Sequence, residues 1–174
     1  WVRDMSYAIE ALIKAGLIIE ARYGLDFLIS VADPAAKTFD HPLYTVDGTP
    51  PVAEEIVGWL NGYEGSRPVR VGNAAYIQIQ MDVEGAFMNA LYEYVSTTKD
   101  YRYVTDNFWL IESLAHWVSK YWRSESTDIW EERGVTRHYV HTKVMSWVAL
   151  DRASKLARMT GNRVEADEWE AKAE

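Results

Sequence analysis

The sequence predicts an all-α protein built from consecutive antiparallel helices. Two observations carry that reading. Apolar residues recur at helical spacing through most of the 174 residues. The helix breakers are concentrated instead of scattered: all five prolines and five of the ten glycines fall between residues 33 and 72. Elsewhere the apolar runs are separated by short turns at Gly16 and at 160–162. A chain of this length can bury a sizeable core, and residues 1–174 read as a single, partial domain.

The first helix is expected over residues 5–15. Ala8, Ala11, Leu12 and Ala15 share a face, Asp4 is the N-cap and Gly16 the stop. A second runs from about Leu17 to Ala32, with Ile18, Ala21, Leu25, Leu28 and Ala32 as its stripe and Asp33-Pro34 as its end. The one-residue break at Gly16 makes these two an antiparallel pair. Residues 33–72 are too long for a featureless connection. They are also too rich in Trp, Tyr and His for a disordered one. They read as an ordered loop over a binding surface, with short strands near Leu43–Val46 and a short helix at Ala53–Trp59.

Asn73 is expected to cap a third helix reaching Thr97, along Ile77, Met81, Gly85, Met88, Tyr92 and Val95. A fourth spans Tyr103 to Tyr121, with Phe108, Ile111, Ala115 and Val118 inward. A fifth spans His138 to Met159, with Met145, Ala149, Arg152, Ala153 and Leu156 on one side, and Gly161 stops it. A sixth starts at Arg163 and runs off the end. Six helices with alternating short and long loops suit hairpins in a ring. A tetratricopeptide-like solenoid is the competing arrangement, but no fixed repeat is visible.

Composition narrows the function. A net charge of −8 argues against nucleic acid or an anionic membrane as partner. No apolar run approaches the length of a membrane span. The chain has no cysteine, so it has no disulfide framework and no thiolate metal site, which suits a reducing, cytoplasmic setting. There is no His-Glu-x-x-His and no Asp-rich loop, so no metal or cofactor is expected. Eight Trp and eleven Tyr supply flat walls on which sugar rings rest. The chain opens on Trp1 and stops among helix-forming residues, which reads as a piece of a longer protein.

The candidate chemistry lies in Asp128-Ile129-Trp130-Glu131-Glu132. A carboxyl packed against an indole loses hydration and holds its proton more tightly, as a general acid must. The same five residues also suit solvated loop carboxylates beside a core tryptophan. His138, His141 and Lys143 cluster in sequence but do not converge on a helix, and read as structural.

Four stretches in order resemble glycoside hydrolase family 15, the glucoamylases and trehalases. They are Trp1-Val2-Arg3-Asp4; Pro42–Asp47 with Gly62–Ala75; the pentad; and Arg137-His138-Tyr139 with Lys143–Arg152. The resemblance implies an (α/α)6 barrel, of which six helices would be about half. It implies an inverting, exo-acting α-glucosidase that takes an α-glucoside or α-glucan. Glu131 would be the general acid. Trp1, Arg3, Asp4, Arg67, Trp130 and Glu132 would contact the sugar, and the base would lie outside this chain. Gly65 stands where fungal members carry a stacking tryptophan, which tilts the specificity toward short α-glucosides such as trehalose. The alternative is a non-catalytic, glucoamylase-like regulatory or carbohydrate-binding domain. An open half-ring exposes apolar surface, so the chain is expected to associate with the remainder of its barrel or with itself, and to be inactive alone.

Overall fold

A computed structural model describes residues 1–32, 38–51 and 53–174. Seven helices dominate them: α1 (Val2–Lys14), α2 (Ile18–Val31), α3 (Val83–Thr98), α4 (Tyr101–Asp106), α5 (Phe108–Tyr121), α6 (Val140–Met159) and α7 (Arg163–Ala173). The chain is all-α, in helical hairpins, as the sequence predicts. Its only sheet among the described residues is a two-residue antiparallel ribbon, β1 (Glu55–Ile56) with β2 (Arg70–Val71). No described helix is long and apolar enough to cross a membrane.

The hairpin of α1 and α2 forms for local reasons. Gly16 takes φ +79°, which lets the Gly16 N–H reach the Ile13 carbonyl (3.0 Å) and the Leu17 N–H reach Leu12 (2.9 Å). These two bonds are a Schellman close, and a side chain at Gly16 would strain it. The helix itself is rotated relative to the expected face. Val2, Arg3, Ser6, Ile9 and Ile13 are buried, whereas Ala8, Ala11 and Ala15 are exposed. Ile9 and Ile13 remove more apolar area from water than alanines can, so they set the rotation. The helix also starts earlier than expected. Trp1 occupies the N-cap position and Asp4 lies in the first turn, exposed, where a carboxylate suits the helix dipole. In α2 the expected stripe is the observed one, with Ala21, Leu25, Leu28 and Ala32 buried. The Asp33-Pro34 stop lies outside the described residues.

α3 is the centre of the molecule. It packs against α1 on one side and α6 on the other, and Val83 through Met88 are all buried. Gly85 marks the closest approach, since a Cβ built there would sit 2.2 Å from the Met145 carbonyl oxygen of α6. The helix begins nine residues later than expected, at Val83. Asn73 does cap, its Oδ1 accepting from the Ala75 N–H at 2.8 Å, but only a single 3-10 turn, Ala74–Ile77, follows. Residues 78–80 are extended instead, and the Ile79 carbonyl accepts from the Thr127 N–H (3.1 Å) and Oγ1 (3.2 Å). A tertiary partner outbids the local helix here. The alternation in Gln78-Ile79-Gln80-Met81-Asp82 agrees with an extended chain.

The expected fourth helix is two. Asp100 accepts from the Tyr103 N–H (3.2 Å) and starts α4. Asn107 ends it by donating Nδ2 to the Tyr103 carbonyl (2.8 Å), and α5 follows. α6 packs on α3, α5 and α7. Trp169, fully buried, fastens α7 with its ring 6.1 Å from those of Phe108 and His116. Residues 43–46 form no strand, and 53–59 form no helix but contribute β1. β1 and β2 need each other: Glu55 faces Val71 and Ile56 faces Arg70.

Candidate active site

The segments that matter meet at the N-terminal ends of α1, α3 and α6. Arg3, in the first turn of α1, is 8% exposed and reaches into them. Its Nη1 donates to Gln80 Oε1 (3.0 Å) and Asp82 Oδ2 (2.8 Å), and its Nη2 to Glu131 Oε1 (3.3 Å). Burial works against the guanidinium charge. The hydrogen bond and charge of Asp82, aided by Asp4 and Glu131, outweigh it and raise the pKa above the ordinary arginine value. Arg3 is therefore a permanent cation that joins a buried aspartate to a half-buried glutamate.

The turn that carries Glu131 is tightly specified. Both Asp128 (φ +53°) and Glu131 (φ +51°) take left-handed backbone, which non-glycine residues adopt only when their surroundings hold them there. Gln78 Nε2 donates to the Glu131 carbonyl (3.2 Å), and Gln80 Nε2 donates to Gln78 Oε1 (3.1 Å). The extended 78–80 segment thus grips Glu131 by its backbone while Arg3 holds its carboxylate. Ser126 pairs with Arg137 through two backbone bonds and closes the base of the loop.

The structure brings Arg3 and Glu131 together, and sets the other predicted residues around them unequally. Trp130 is 65% exposed, so within this chain it forms no apolar wall over Glu131, whose side chain meets Arg3 instead. Glu132 points elsewhere, accepting from Tyr139 Oη (3.2 Å) and lying 3.8 Å from Arg137 Nε. Burial, and then the bond to Glu132, raise the Tyr139 pKa. Trp1 is half-buried at the N-cap of α1, its carbonyl accepting from the Met5 N–H (2.9 Å). Arg67 is exposed and donates to Asn61 within its own loop. That loop is pinned near the site by Glu54. Arg133 Nη2 reaches both Glu54 oxygens, at 2.8 and 3.1 Å, and Arg70 Nε lies 3.3 Å away. Hydrogen bonding from Arg133 lowers the Glu54 pKa.

Sequence reasoning missed the inner layer. Gln78, Gln80 and Asp82 lie where a helix was expected. Asp128 was read only as part of the pentad, yet it is fully buried and accepts from the Ile129 N–H (2.8 Å). His141, structural by its sequence context, sits 2.6 Å from Asp128 through Nδ1. Lys143 Nζ donates to the carbonyls of Trp122 (2.5 Å) and Ser124 (2.7 Å), and burial lowers its pKa. Asp82, Asp128 and His141 are the described residues whose donor atoms stand close enough together to hold a metal ion.

The helical hairpins bring an arginine and a glutamate together at the loop end of the bundle, with a tryptophan and a second glutamate beside them. The chain belongs to the glycosyl hydrolases family 15, whose family model matches residues 1–174. Among similar proteins, Trehalase 2 of Sulfolobus acidocaldarius is 62% identical over 173 residues, which are 99% of this chain and 30% of that protein. Trehalase 1 of the same organism is 46% identical, over 97% of this chain and 30% of its own length. A trehalase of Mycolicibacterium smegmatis is 37% identical, over 100% of this chain and 26% of its own. The chain thus spans less than a third of the length of these relatives. No solved structure matches it.

Proposed function

We propose that the protein is an inverting α-glucosidase acting on trehalose, with Glu131 as its general acid. The observation that carries this is the placement of Glu131, half-buried on a left-handed turn whose backbone Gln78 holds, at the end of the helices where the other candidate residues gather. Membership of the family and the trehalase names of its relatives support trehalose as the substrate. Glu131 gives its proton to the oxygen that bridges the two glucose rings, and the C1–O bond breaks. A base from residues beyond this chain takes a proton from water, and the resulting hydroxyl adds to C1 from the opposite face. One ring leaves as β-glucose and the other as α-glucose. Inversion requires the two carboxyls to stand ~6.5–9.5 Å apart, with room for the water. Glu132 is too close in the chain to be that base, and its carboxylate is already committed to Tyr139 and Arg137.

Asp4, exposed in the first turn of α1, binds hydroxyls of the terminal glucose, for which a carboxylate suits a vicinal pair, and Arg3, whose fork already holds Asp82, Gln80 and Glu131, offers the sugar its remaining N–H groups. Trp1 and Trp130 flank the sugar, Glu132 reaches it by exchanging its contacts to Tyr139 and Arg137, and Arg67 borders the site on the loop. Trp130 exposes its ring here, and the remainder of the barrel closes over it and dries the site. Gly65 leaves the pocket short, which suits a disaccharide better than a long glucan.

The test uses the full-length protein with trehalose, maltose and maltodextrin, reading the released anomer by NMR. Trehalose should give equal α- and β-glucose at first, and the Glu131→Gln variant should lose about 10²–10⁴-fold in turnover while still binding sugar. β-Glucose from maltodextrin alone would move the specificity to glucoamylase type. No glucose from any substrate, with a folded protein, would favour a non-catalytic binding domain.

A further inference from the structure

Beneath the Arg3–Glu131 contact, three side chains from three elements converge: Asp82 just before α3, Asp128 in the turn before Trp130, and His141 in the first turn of α6. One donor atom of each lies within 4.8 Å of the other two. Both aspartates are fully buried. Each has one carboxylate oxygen engaged and one without a hydrogen-bond partner. Asp82 Oδ2 is held by Arg3 (2.8 Å) and its Oδ1 has no partner. Asp128 Oδ1 is held by the Ile129 N–H (2.8 Å) and His141 Nδ1 (2.6 Å), and its Oδ2 has no partner.

An unpartnered carboxylate oxygen in a dry interior is expensive, and two carboxylates this close repel each other. Arg3 answers part of the problem, since it neutralises one charge. Arg3 reaches Asp82 from one side and leaves the free oxygens of both aspartates facing no donor, and a cation between them satisfies both. We infer that Asp82, Asp128 and His141 form a site for a single divalent cation of the Zn²⁺ or Mn²⁺ class. Two carboxylate oxygens and one imidazole nitrogen are a donor set these ions accept, with water filling the remaining positions. Bonds of roughly 2.0–2.2 Å put neighbouring donors about 3–3.6 Å apart, so side chains within 4.8 Å of one another close on the ion by about an ångström of side-chain adjustment.

The ion has a clear mechanical use. Asp128 holds a left-handed backbone at φ +53°, and that turn carries Trp130, Glu131 and Glu132. A cation shared with Asp82 and His141 ties the turn to α3 and α6 at one point, independently of what Glu131 does. A motif search passes over the site because its ligands come from three separated segments, none with a metal-binding spacing of its own.

The experiment is a titration of the full-length protein, stripped with a chelator and dialysed. Mn²⁺ is followed by loss of the free-ion EPR signal and Zn²⁺ by elemental analysis after dialysis, with thermal melts alongside. The expected result is one saturable equivalent and a raised Tm in the wild type, both lost in His141→Gln and in Asp82→Asn. Asp128→Asn tolerates the same backbone conformation and replaces either variant if circular dichroism finds it unfolded. The idea is overturned if the wild type binds neither ion. It is equally overturned if the folded variants bind as the wild type does, which would place the bound ion elsewhere in the protein.

Discussion

Glu84 lies two residues beyond Asp82, its side chain buried and its Oε2 without a partner. It lines a cavity of about 220 Å³ with His41, Gln78, Gln80 and Trp117. Burial, with a smaller push from Asp82, raises its pKa to about 8. In the unfolded chain the same carboxyl titrates near 4.5. Between those values the folded state holds a proton that the unfolded state has released, so stability falls as pH rises. The contribution is complete below about 4.5 and lost by about 8. Glu84→Gln keeps the shape and has no proton to lose. Urea denaturation from pH 5 to 8 should show this slope, up to about 1.4 kcal/mol per pH unit, in the wild type and not in the variant. Equal slopes would mean that Glu84 is hydrated when folded. Residues of this kind were illegible in the sequence. Arg3 and Glu131 could be found because they stand in short local patterns. Glu84, Asp82 and His141 acquire their character from partners on other helices, which no local window contains.

At the scale of elements, legibility followed whether local signals met tertiary competition. The α1–α2 turn, the end of α3 at Thr98 and the stop of α6 before Gly161 depend on their own few residues, and were found. The start of α3 was misplaced because Asn73 is a good cap whose helix is interrupted by hydrogen bonds from Thr127. Helix α3 also shows little amphipathic contrast, being buried almost all round, so its register had to come from packing. Gly85 supplies that register. A methyl group there would meet the Met145 carbonyl at 2.2 Å, and a backbone atom cannot step aside as a flexible side chain does. Alanine is the better helix former by about 1 kcal/mol, so a solvent-exposed glycine would gain by the change. At this crossing overpacking wins. Gly85→Ala should destabilise by about 1–3 kcal/mol, read as a lower urea midpoint. A gain in stability would show that α3 and α6 can separate freely, and would undermine the fixed geometry of the Asp82–Asp128–His141 cluster.

For the whole molecule, the distribution of apolar surface decides what the chain does alone. Val140 (79% exposed), Val144 (49%) and Trp147 (47%) lie along one side of α6. His138 and Lys143 join them around an open cavity of about 360 Å³. A second, of about 560 Å³, continues the surface past Trp122 and Trp147 to Leu150 and the end of α7. A helix whose opposite side is sealed on α3 does not carry this much bare aliphatic and aromatic surface without a cover. The cover we expect is the rest of the protein, since the chain spans under a third of its relatives' length. Produced by itself, the 174-residue chain should then self-associate, eluting above its 20.0 kDa mass in size-exclusion chromatography with light scattering. Val140→Asp with Val144→Asp should return it to a monomer with unchanged helical circular dichroism, because neither side chain enters the core. In the full-length protein the same pair should instead lower Tm, because both charges would be forced into a packed interface. A wild-type fragment that stays monomeric at high concentration would mean that this side of α6 faces water in the whole protein too. The remainder of the barrel would then have to meet the chain elsewhere.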